Sequence, residues 1–495
     1  MKVLLINPTR TYTEKASVIS EGADVGLPLG LLYIAAVLEK HCHVEIIDSL
    51  VHKETKLVDN DGKNEYGIPW DKLKDIIKEK KPDVIGISNL FTTQIENSIK
   101  TADIIKEVDN KIKVIIGGSH VSVRPKEFLS ENNSFDFAII GEGESAITNL
   151  INHFKGELPL EDVGGIAYKK DSQIFINEKK DFIKNLDDLP LPAYHLIDMN
   201  EYLSLHKKGI YSRSRDEQRA ISIITSRGCP FNCVFCSVHA SVGRTWRPHS
   251  AEYVIKHIKH VVEKYGVKEI HFEDDNFTLD IKRCEDILDG IKDLGVKWDT
   301  PNGVRADIYS RSLVSKMKES GCKRLTIGIE SGSQRVLDNV IGKQLDLTKV
   351  EGYAKLCNEF KISLNAFFVI GFPGETKEDI KKTINFALML QKKYDVSNGG
   401  AFFATPLFGT RLYDLCEKNG YLVKKITPES LANATASYGD SLIKTEEFTP
   451  EDLKNFNKKL IRANYIRQLF NLDSIKSVIK NPQILFNAVK RFIKL

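Results

Sequence analysis

Short β-branched and aliphatic runs alternate with stretches of helical spacing, twice over, and this restricts the chain to α/β architecture with parallel sheets. In the first half, Lys2 to Ile6, Val44 to Ile47, Val84 to Ser88, Val114 to Ile116 and Phe137 to Ile140 read as strands. Gly30 to Lys40, Trp70 to Lys80, Ile95 to Val108 and a stretch from Glu144 read as the helices between them. This predicts a doubly wound sheet over residues 1–155, with ligands at the carboxyl ends of its strands. The alternation resumes with strands expected at Ile221 to Ile224, Glu269 to Phe272, Trp298 to Gly303, Arg324 to Ile329, Ser363 to Ile370 and Gly400 to Ala404. Ala251 to Tyr265 and Ile281 to Leu294 are among the intervening helices. Such units fit an open, partial (β/α)6 barrel over 216–415, with chemistry at the strand ends. Between the halves, 156–215 reads as a connector whose Pro190 and Pro192 forbid a continuing helix. Tyr202 to Arg219 reads as a basic, polar stretch expected to be exposed. The last region, 416–495, loses the alternation and reads as helical, with one helix over Pro450 to Leu472 and a basic amphipathic one over 484–495.

The most informative local feature follows the first barrel strand. Arg227-Gly228-Cys229-Pro230-Phe231-Asn232-Cys233-Val234-Phe235-Cys236 spaces three cysteines as C-x3-C-x2-C. Thiolates so close together can converge on one soft metal centre, and iron–sulfur clusters take such ligands. Three ligands on a four-iron cubane leave one iron open, which distinguishes a catalytic centre from a closed structural one. The competing reading is a zinc knuckle with His239 as the fourth ligand, or buried free thiols. Cys42, Cys284, Cys322, Cys357 and Cys416 form no C-x2-C pair and read as buried thiols rather than a second cluster. Eight scattered cysteines do not make a disulfide scaffold, and an exposed cluster needs a reducing, cytoplasmic compartment. A net charge of +4 does not argue for nucleic-acid binding. The amino terminus, Met1 to Pro8, breaks as strand and loop rather than as a signal peptide. No apolar run reaches the ~18 residues of a membrane span.

The cysteine motif after a strand resembles the radical S-adenosylmethionine (SAM) superfamily, whose fold is a partial TIM-type barrel. The resemblance implies a [4Fe-4S] cluster on Cys229, Cys233 and Cys236, with SAM chelated to the open iron and cleaved to a 5′-deoxyadenosyl radical. It places Phe235 against adenine. It implies polar contacts to the methionine amino group from the run Glu273-Asp274-Asp275, leaving open which acid reaches inward. Glu330, in Glu330-Ser331-Gly332-Ser333, is placed to bond ribose hydroxyls. Arg305 pairs either the methionine carboxylate or Asp307. Ile370 and Gly371, in Val369-Ile370-Gly371-Phe372-Pro373-Gly374-Glu375, resemble the adenine-binding motif. Arg244-Thr245-Trp246-Arg247 reads either as a clamp for an anion or flat ring, or as packing before a helix capped at Ser250.

Three loops of the first sheet resemble the cobalamin-binding domain that precedes some radical SAM barrels, a Rossmann-like (flavodoxin-like) fold. They are Ser88-Asn89-Leu90-Phe91-Thr92, Gly117-Gly118-Ser119-His120 and Gly141-Glu142-Gly143-Glu144. The resemblance implies corrin contacts from Ser88, Leu90, Thr92, Gly117, Gly118, Gly141 and Glu142. Many cobalamin domains carry Asp-x-His-x-x-Gly after the first strand. Here that loop begins Pro8-Thr9-Arg10-Thr11-Tyr12 and holds no histidine, which implies no histidine below cobalt.

The whole resembles a cobalamin-dependent radical SAM enzyme. Methyl transfer to an unactivated carbon or phosphorus centre of a small molecule is the first expectation. It implies two molecules of SAM per turnover, one as methyl source for cobalamin and one as radical source. A cyclase or rearrangement enzyme without methyl transfer is the alternative. A cobalamin-binding sensor or scaffold with a vestigial barrel is another, and the intact cysteines count against it. A radical enzyme with an empty first domain is a fourth. The cluster further implies an electron donor such as flavodoxin or ferredoxin. The 484–495 helix offers a surface for docking on the barrel or for peripheral membrane contact.

Overall fold

The computed structural model describes residues 1–12, 25–60, 63–130, 134–171, 173–179, 182–205, 219–435 and 439–469. Of the stretch Tyr202 to Arg219, residues 206–218 lie outside the described residues, as does the 484–495 segment. The start of that stretch is buried rather than exposed, because Tyr202 and Leu205 pack with Val25 and Leu50 and the Tyr202 hydroxyl donates to Asp48 at 2.6 Å.

The first sheet has seven strands: β1 (Lys2–Asn7), β3 (His43–Asp48), β6 (Val84–Ser88), β7 (Lys113–Gly117), β8 (Phe137–Ile139), β9 (Ile166–Lys170) and β10 (Gln173–Asn177). Their order is β10-β9-β8-β7-β6-β1-β3. The five strands from β3 to β8 pair parallel, and β9 and β10 add on antiparallel. Counting only the parallel strands, the order is 2-1-3-4-5, the flavodoxin-like arrangement. Both faces of β1 are covered. Leu4 and Ile6 pack into one core with Ile85, Ile87, Val114 and Ile116, while Val3 and Leu5 pack into another with Val84, Ile115 and Ile139. Strands buried on both faces are continuous apolar runs, which is why these were legible without alternation. A small antiparallel sheet of β2 (Arg10–Tyr12), β5 (Lys63–Gly67) and β4 (Lys56–Asn60) stands apart from this one.

A two-strand ladder pairs β12 (Ser226–Arg227) with β13 (Arg247–Pro248) and closes off the segment that carries the cysteines. The second large sheet runs β11 (Ala220–Ile223), β14 (Glu269–Phe272), β15 (Lys297–Val304), β16 (Cys322–Glu330), β17 (Ser363–Ile370), β18 (Ala401–Phe403), in chain order. The pairs β11–β14, β16–β17 and β17–β18 are parallel. Parallel neighbours in chain order with helices between them are the pattern of a partial barrel. Helix starts are chemically specified here. Ser250, Ser310, Thr376 and Thr410 each accept a hydrogen bond from a backbone N–H in the first turn of the helix that follows. The tail forms a helix at Pro450–Leu469. No helix among the described residues is long and apolar enough to cross a membrane.

The chain separates into two compact units. The first holds Met1–Pro230, Ser237–Asp275 and Asp286–Trp298, and so includes the seven-stranded sheet and the first two barrel strands. The second holds Phe231–Cys236, Asn276–Glu285 and the chain from Asp299 onward.

Candidate functional site

Cys229, Cys233 and Cys236 are half-buried and none is in a disulfide. The loop that carries them is shaped by its neighbours. Gly228 has φ +83°, and a Cβ there would sit 2.3 Å from the Thr245 carbonyl oxygen, so no side chain fits. Within the second unit, the Val234 N–H donates to the Ile341 carbonyl at 2.8 Å, and the Leu412 N–H donates to the Val234 carbonyl at 3.0 Å. The segment between the cysteines is thus held by backbone bonds, and the cysteines themselves are half-buried. Three half-buried cysteines at this spacing suit a cluster with one open iron.

In the first unit, the acids after β14 have divided their work. Asp274 is buried and accepts from the Thr225 N–H (2.7 Å), the Thr225 hydroxyl (2.6 Å) and the Ser226 hydroxyl (2.6 Å). It therefore ties the end of β11 to the end of β14, just before the cysteine loop. Glu273 accepts from the Ser222 hydroxyl at 2.7 Å. Burial, reinforced by the neighbouring Asp274 charge, pushes the Asp275 carboxyl up to about 6, and a bond from the Gly228 N–H opposes the shift.

In the second unit, Phe235 meets Phe372 with ring centroids 5.7 Å apart, next to Ile370 and Gly371 at the end of β17. Glu330 ends β16 with φ +68°, at a register irregularity between Gly328 and Glu330. A glutamate in the left-handed region costs free energy and marks a place where the fold forces a direction on a side chain. Its Oε1 accepts from the buried Lys343 ammonium at 2.7 Å. Arg305 is also buried. It donates to Asp307 at 2.8 and 2.6 Å and to the Lys343 and Gln344 carbonyls, and its guanidinium lies 3.8 Å from the Phe231 ring centroid.

Glu375 closes the turn after β17. Its Oε2 accepts from the Gly371 and Phe372 N–H groups at 2.7 and 3.1 Å, and its Oε1 is buried without a partner among the described residues. Burial pushes its carboxyl up to about 7, and the two N–H groups only partly offset this. The folded-state value lies above that of an unfolded glutamate, about 4.3. This group's contribution to stability is therefore complete below about 4.3 and falls as pH rises to about 7. We predict that thermal unfolding of the cluster-free chain shows this decline and that Glu375→Gln flattens it. An unchanged pH profile in that variant would contradict the assignment.

The three loops at the ends of β6, β7 and β8 all lie in the first unit. Ser88 ends β6, and Leu90 and Phe91 after it are exposed (45 and 58%), unusual for such side chains unless something covers them. The Asn89 side chain is fully buried, yet its Oδ1 has no partner among the described residues. A Cβ on Gly117 would make an ordinary contact with Ile139 at 3.5 Å, whereas a Cβ on Gly118 (φ +133°) would lie 2.0 Å from the Asn89 carbonyl oxygen. Thr92 meets the buried His120 Nδ1 at 3.0 Å, and His120 Nε2 lies 3.6 Å from Glu127. His120 is thus committed to side chains of its own domain. Gly141 is backed by Lys179 and the Ser241 carbonyl. The Glu142 carboxylate turns inward to Arg227 (3.2 Å) and Arg247 (2.9 Å), so that arginine of the Arg-Thr-Trp-Arg run clamps a carboxylate of the chain itself. An exposed apolar rim, an orphaned buried acceptor and side-chain-free backbone fit a large flat ligand with amide edges.

Sequence reasoning did not assign Lys343, Glu375, Phe372, Glu144 or the Thr225–Ser226 pair. Glu375 had a signal, a glutamate four residues after Gly371. The Glu330–Lys343 pair had none, because the partners come together only after the irregular helix Val336–Ile341.

Comparison with known proteins accords with this geometry. A model of the B12 binding domain matches residues 17–151, and a model of the radical SAM superfamily matches residues 223–387. An uncharacterized methyltransferase of Pyrococcus horikoshii is 32% identical over 467 residues, covering 94% of this chain and 93% of its own. The cytidylyl-2-hydroxyethylphosphonate methyltransferase of Streptomyces wedmorensis is 30% identical, covering 88% and 85%. The anaerobic magnesium-protoporphyrin IX monomethyl ester cyclase of Rubrivivax gelatinosus is 23% identical, covering 100% and 82%. In fold, the chain matches the cobalamin-dependent SAM radical enzyme OxsB with aqua-cobalamin and SAM bound, at a TM-score of 0.72 and 19% identity, over 98% of this chain and 70% of that one. It also matches the methyltransferase TsrM of Kitasatospora setae with cobalamin and a [4Fe-4S] cluster bound, at 0.66 and 16%, over 92% and 84%. With both domains present in this order, the chain belongs to the family of radical SAM enzymes that carry a cobalamin-binding domain, whose cofactors are a [4Fe-4S] cluster, SAM and cobalamin.

Proposed function

We propose that this enzyme transfers a methyl group from SAM to an unactivated carbon or phosphorus centre of a small-molecule substrate. The observation that carries the reading is likeness along nearly the whole chain to two proteins named as methyltransferases, one of them acting on a nucleotidyl hydroxyethylphosphonate. Bound to the chain, the cofactors supply reductive cleavage of SAM to a 5′-deoxyadenosyl radical and a cobalt carrier for the methyl group.

The chain's own residues take the following roles. Cys229, Cys233 and Cys236 ligate three irons. Phe235, Ile370 and Gly371 hold adenine, with Phe372 behind Phe235. Glu330, aimed by its backbone and by Lys343, takes the ribose hydroxyls. Glu273 and Asp275 face the methionine ammonium, whereas Asp274, engaged by three donors, positions the loop. Arg305, committed to Asp307 and two carbonyls, secures Phe231 beside the cluster ligands. Ser88, Leu90, Thr92, Gly117 and Gly118 meet the corrin. Gly141 and Glu142 shape the far side of that site from beneath. The working division is 1–155 for cobalamin, 156–215 as strap, 216–415 as barrel and 416–495 as helical tail. The hairpin β9–β10 within the strap supports counting its first part with the sheet it extends. A flavodoxin- or ferredoxin-type donor supplies electrons in a reducing cytoplasm. Peripheral membrane contact falls to the basic, apolar 484–495 segment.

With substrate and methyl-labelled SAM, label should enter product, and 5′-deoxyadenosine and S-adenosylhomocysteine should form in equal amounts. Likeness to a cyclase over the full chain favours ring formation as the second reading. Unlabelled product with 5′-deoxyadenosine alone would establish it instead.

A further inference from the structure

The cysteine segment is closed by the β12–β13 ladder, and the register of that ladder sets Arg227 directly opposite Arg247. Like charges facing each other across a ladder repel. Both guanidiniums are also largely buried, at 11 and 7% side-chain exposure, where water does little to screen them. The ladder therefore needs a counter-ion, and the sheet of the cobalamin domain provides it. Glu142, 1% exposed, receives Arg227 Nη1 on Oε1 at 3.2 Å and grips Arg247 with both oxygens, at 2.9 and 3.0 Å. Glu144 accepts from Arg227 Nη2 at 2.6 Å. Burial alone would raise the Glu144 carboxyl, and Arg227 overrides this and holds it below the usual range. Arg227 further lies 5.3 Å from the Tyr33 ring centroid.

The same carboxylates connect to the corrin loops. Glu142 follows Gly141, whose N–H donates to the Ser122 hydroxyl at 2.9 Å. That hydroxyl donates to the Gly118 carbonyl at 2.9 Å. A bonded line therefore runs from Gly118 through Ser122, Gly141 and Glu142 to Arg227, two residues before the first cysteine. All of these residues belong to one compact unit.

We propose that Glu142 and Glu144 are positioning residues for the cluster segment, and that cobalamin binding and cluster binding are thermodynamically coupled through them. The inference rests on the cofactor sites proposed above. Its two states are the cysteine segment gathered on iron, with the arginine ladder closed on Glu142, and the segment released, with that ladder free to open. Corrin pressing on Gly118 favours the closed state through Ser122 and Gly141. Linkage then requires the cluster to tighten cobalamin binding by the same factor as cobalamin tightens the cluster.

The test titrates the full chain with hydroxocobalamin under anaerobic conditions, once with the cluster reconstituted and once after iron is removed by a chelator. The dissociation constant should be tighter with the cluster by about fivefold or more. In Glu144→Gln, and separately in Ser122→Ala, the ratio should fall to within about twofold of unity. A purely structural role would weaken both forms alike and leave the ratio intact. Equal constants in the native chain would overturn the coupling, and this outcome does not depend on any variant folding. An undiminished ratio in Ser122→Ala would also overturn the proposed route. Absence of cobalamin binding in both forms would instead remove the corrin site on which the inference stands.

Discussion

Replacing Cys229, Cys233 and Cys236 together by alanine is expected to leave a folded chain that binds no cluster iron and cleaves no SAM. The effect should be complete rather than graded. Thiolates are the cluster's protein ligands, and the described residues hold no fourth cysteine nearby at metal-ligand spacing. The fold should survive because the loop is anchored by backbone bonds at Val234 and by the Asp274 network, none of which involves a thiol. Iron analysis and the appearance of 5′-deoxyadenosine after anaerobic reconstitution check this. A full complement of four irons in the triple variant would show that the ligands lie elsewhere.

The second large effect is expected at the other cofactor. Gly117→Trp should lower bound cobalamin from one per chain to below about a tenth, because an indole at this strand end would crowd the site proposed for the corrin. A Cβ at Gly117 meets only Ile139, at 3.5 Å, so the backbone itself tolerates a side chain. The cluster should still load in this variant. Cobalamin content of the protein, read from its visible absorbance, checks both statements. In the native chain, paramagnetic resonance of bound cob(II)alamin should show no nitrogen splitting from a protein ligand, since His120 is buried against Thr92 and Glu127. Normal cobalamin loading by Gly117→Trp would place the corrin elsewhere.

How much the sequence disclosed depended on the range of the forces involved. The strands β6, β14 and β17 and the helices Trp70–Lys80, Ile95–Val108 and Ala251–Tyr265 were legible to the residue. Each is a continuous apolar or periodic run bounded by a turn or a cap, so local chemistry specifies it. The hairpin of β9 and β10 was missed because its second strand is mostly exposed and offers little apolar pattern. The cysteines were legible because a metal needs its ligands close together, and here they are close in sequence. The charges were not. Glu142 lies 105 residues from Arg247, and nothing in either neighbourhood announces a pairing that only the fold creates. Asp274 could not be told from Glu273 and Asp275 in sequence, since their difference is one of strand-end direction. It became visible once Thr225 and Ser226 were found to occupy its carboxylate.

This one chain is expected to hold cobalamin together with a cluster whose open iron binds SAM. The most direct measurement is made on the anaerobically reconstituted protein, counting iron and cobalamin and recording the resonance of the reduced cluster before and after SAM is added. Four irons and one cobalamin per chain are expected, with a changed cluster spectrum on adding SAM and 5′-deoxyadenosine as a product. A cluster that loads fully yet gives the same spectrum with and without SAM would contradict this expectation.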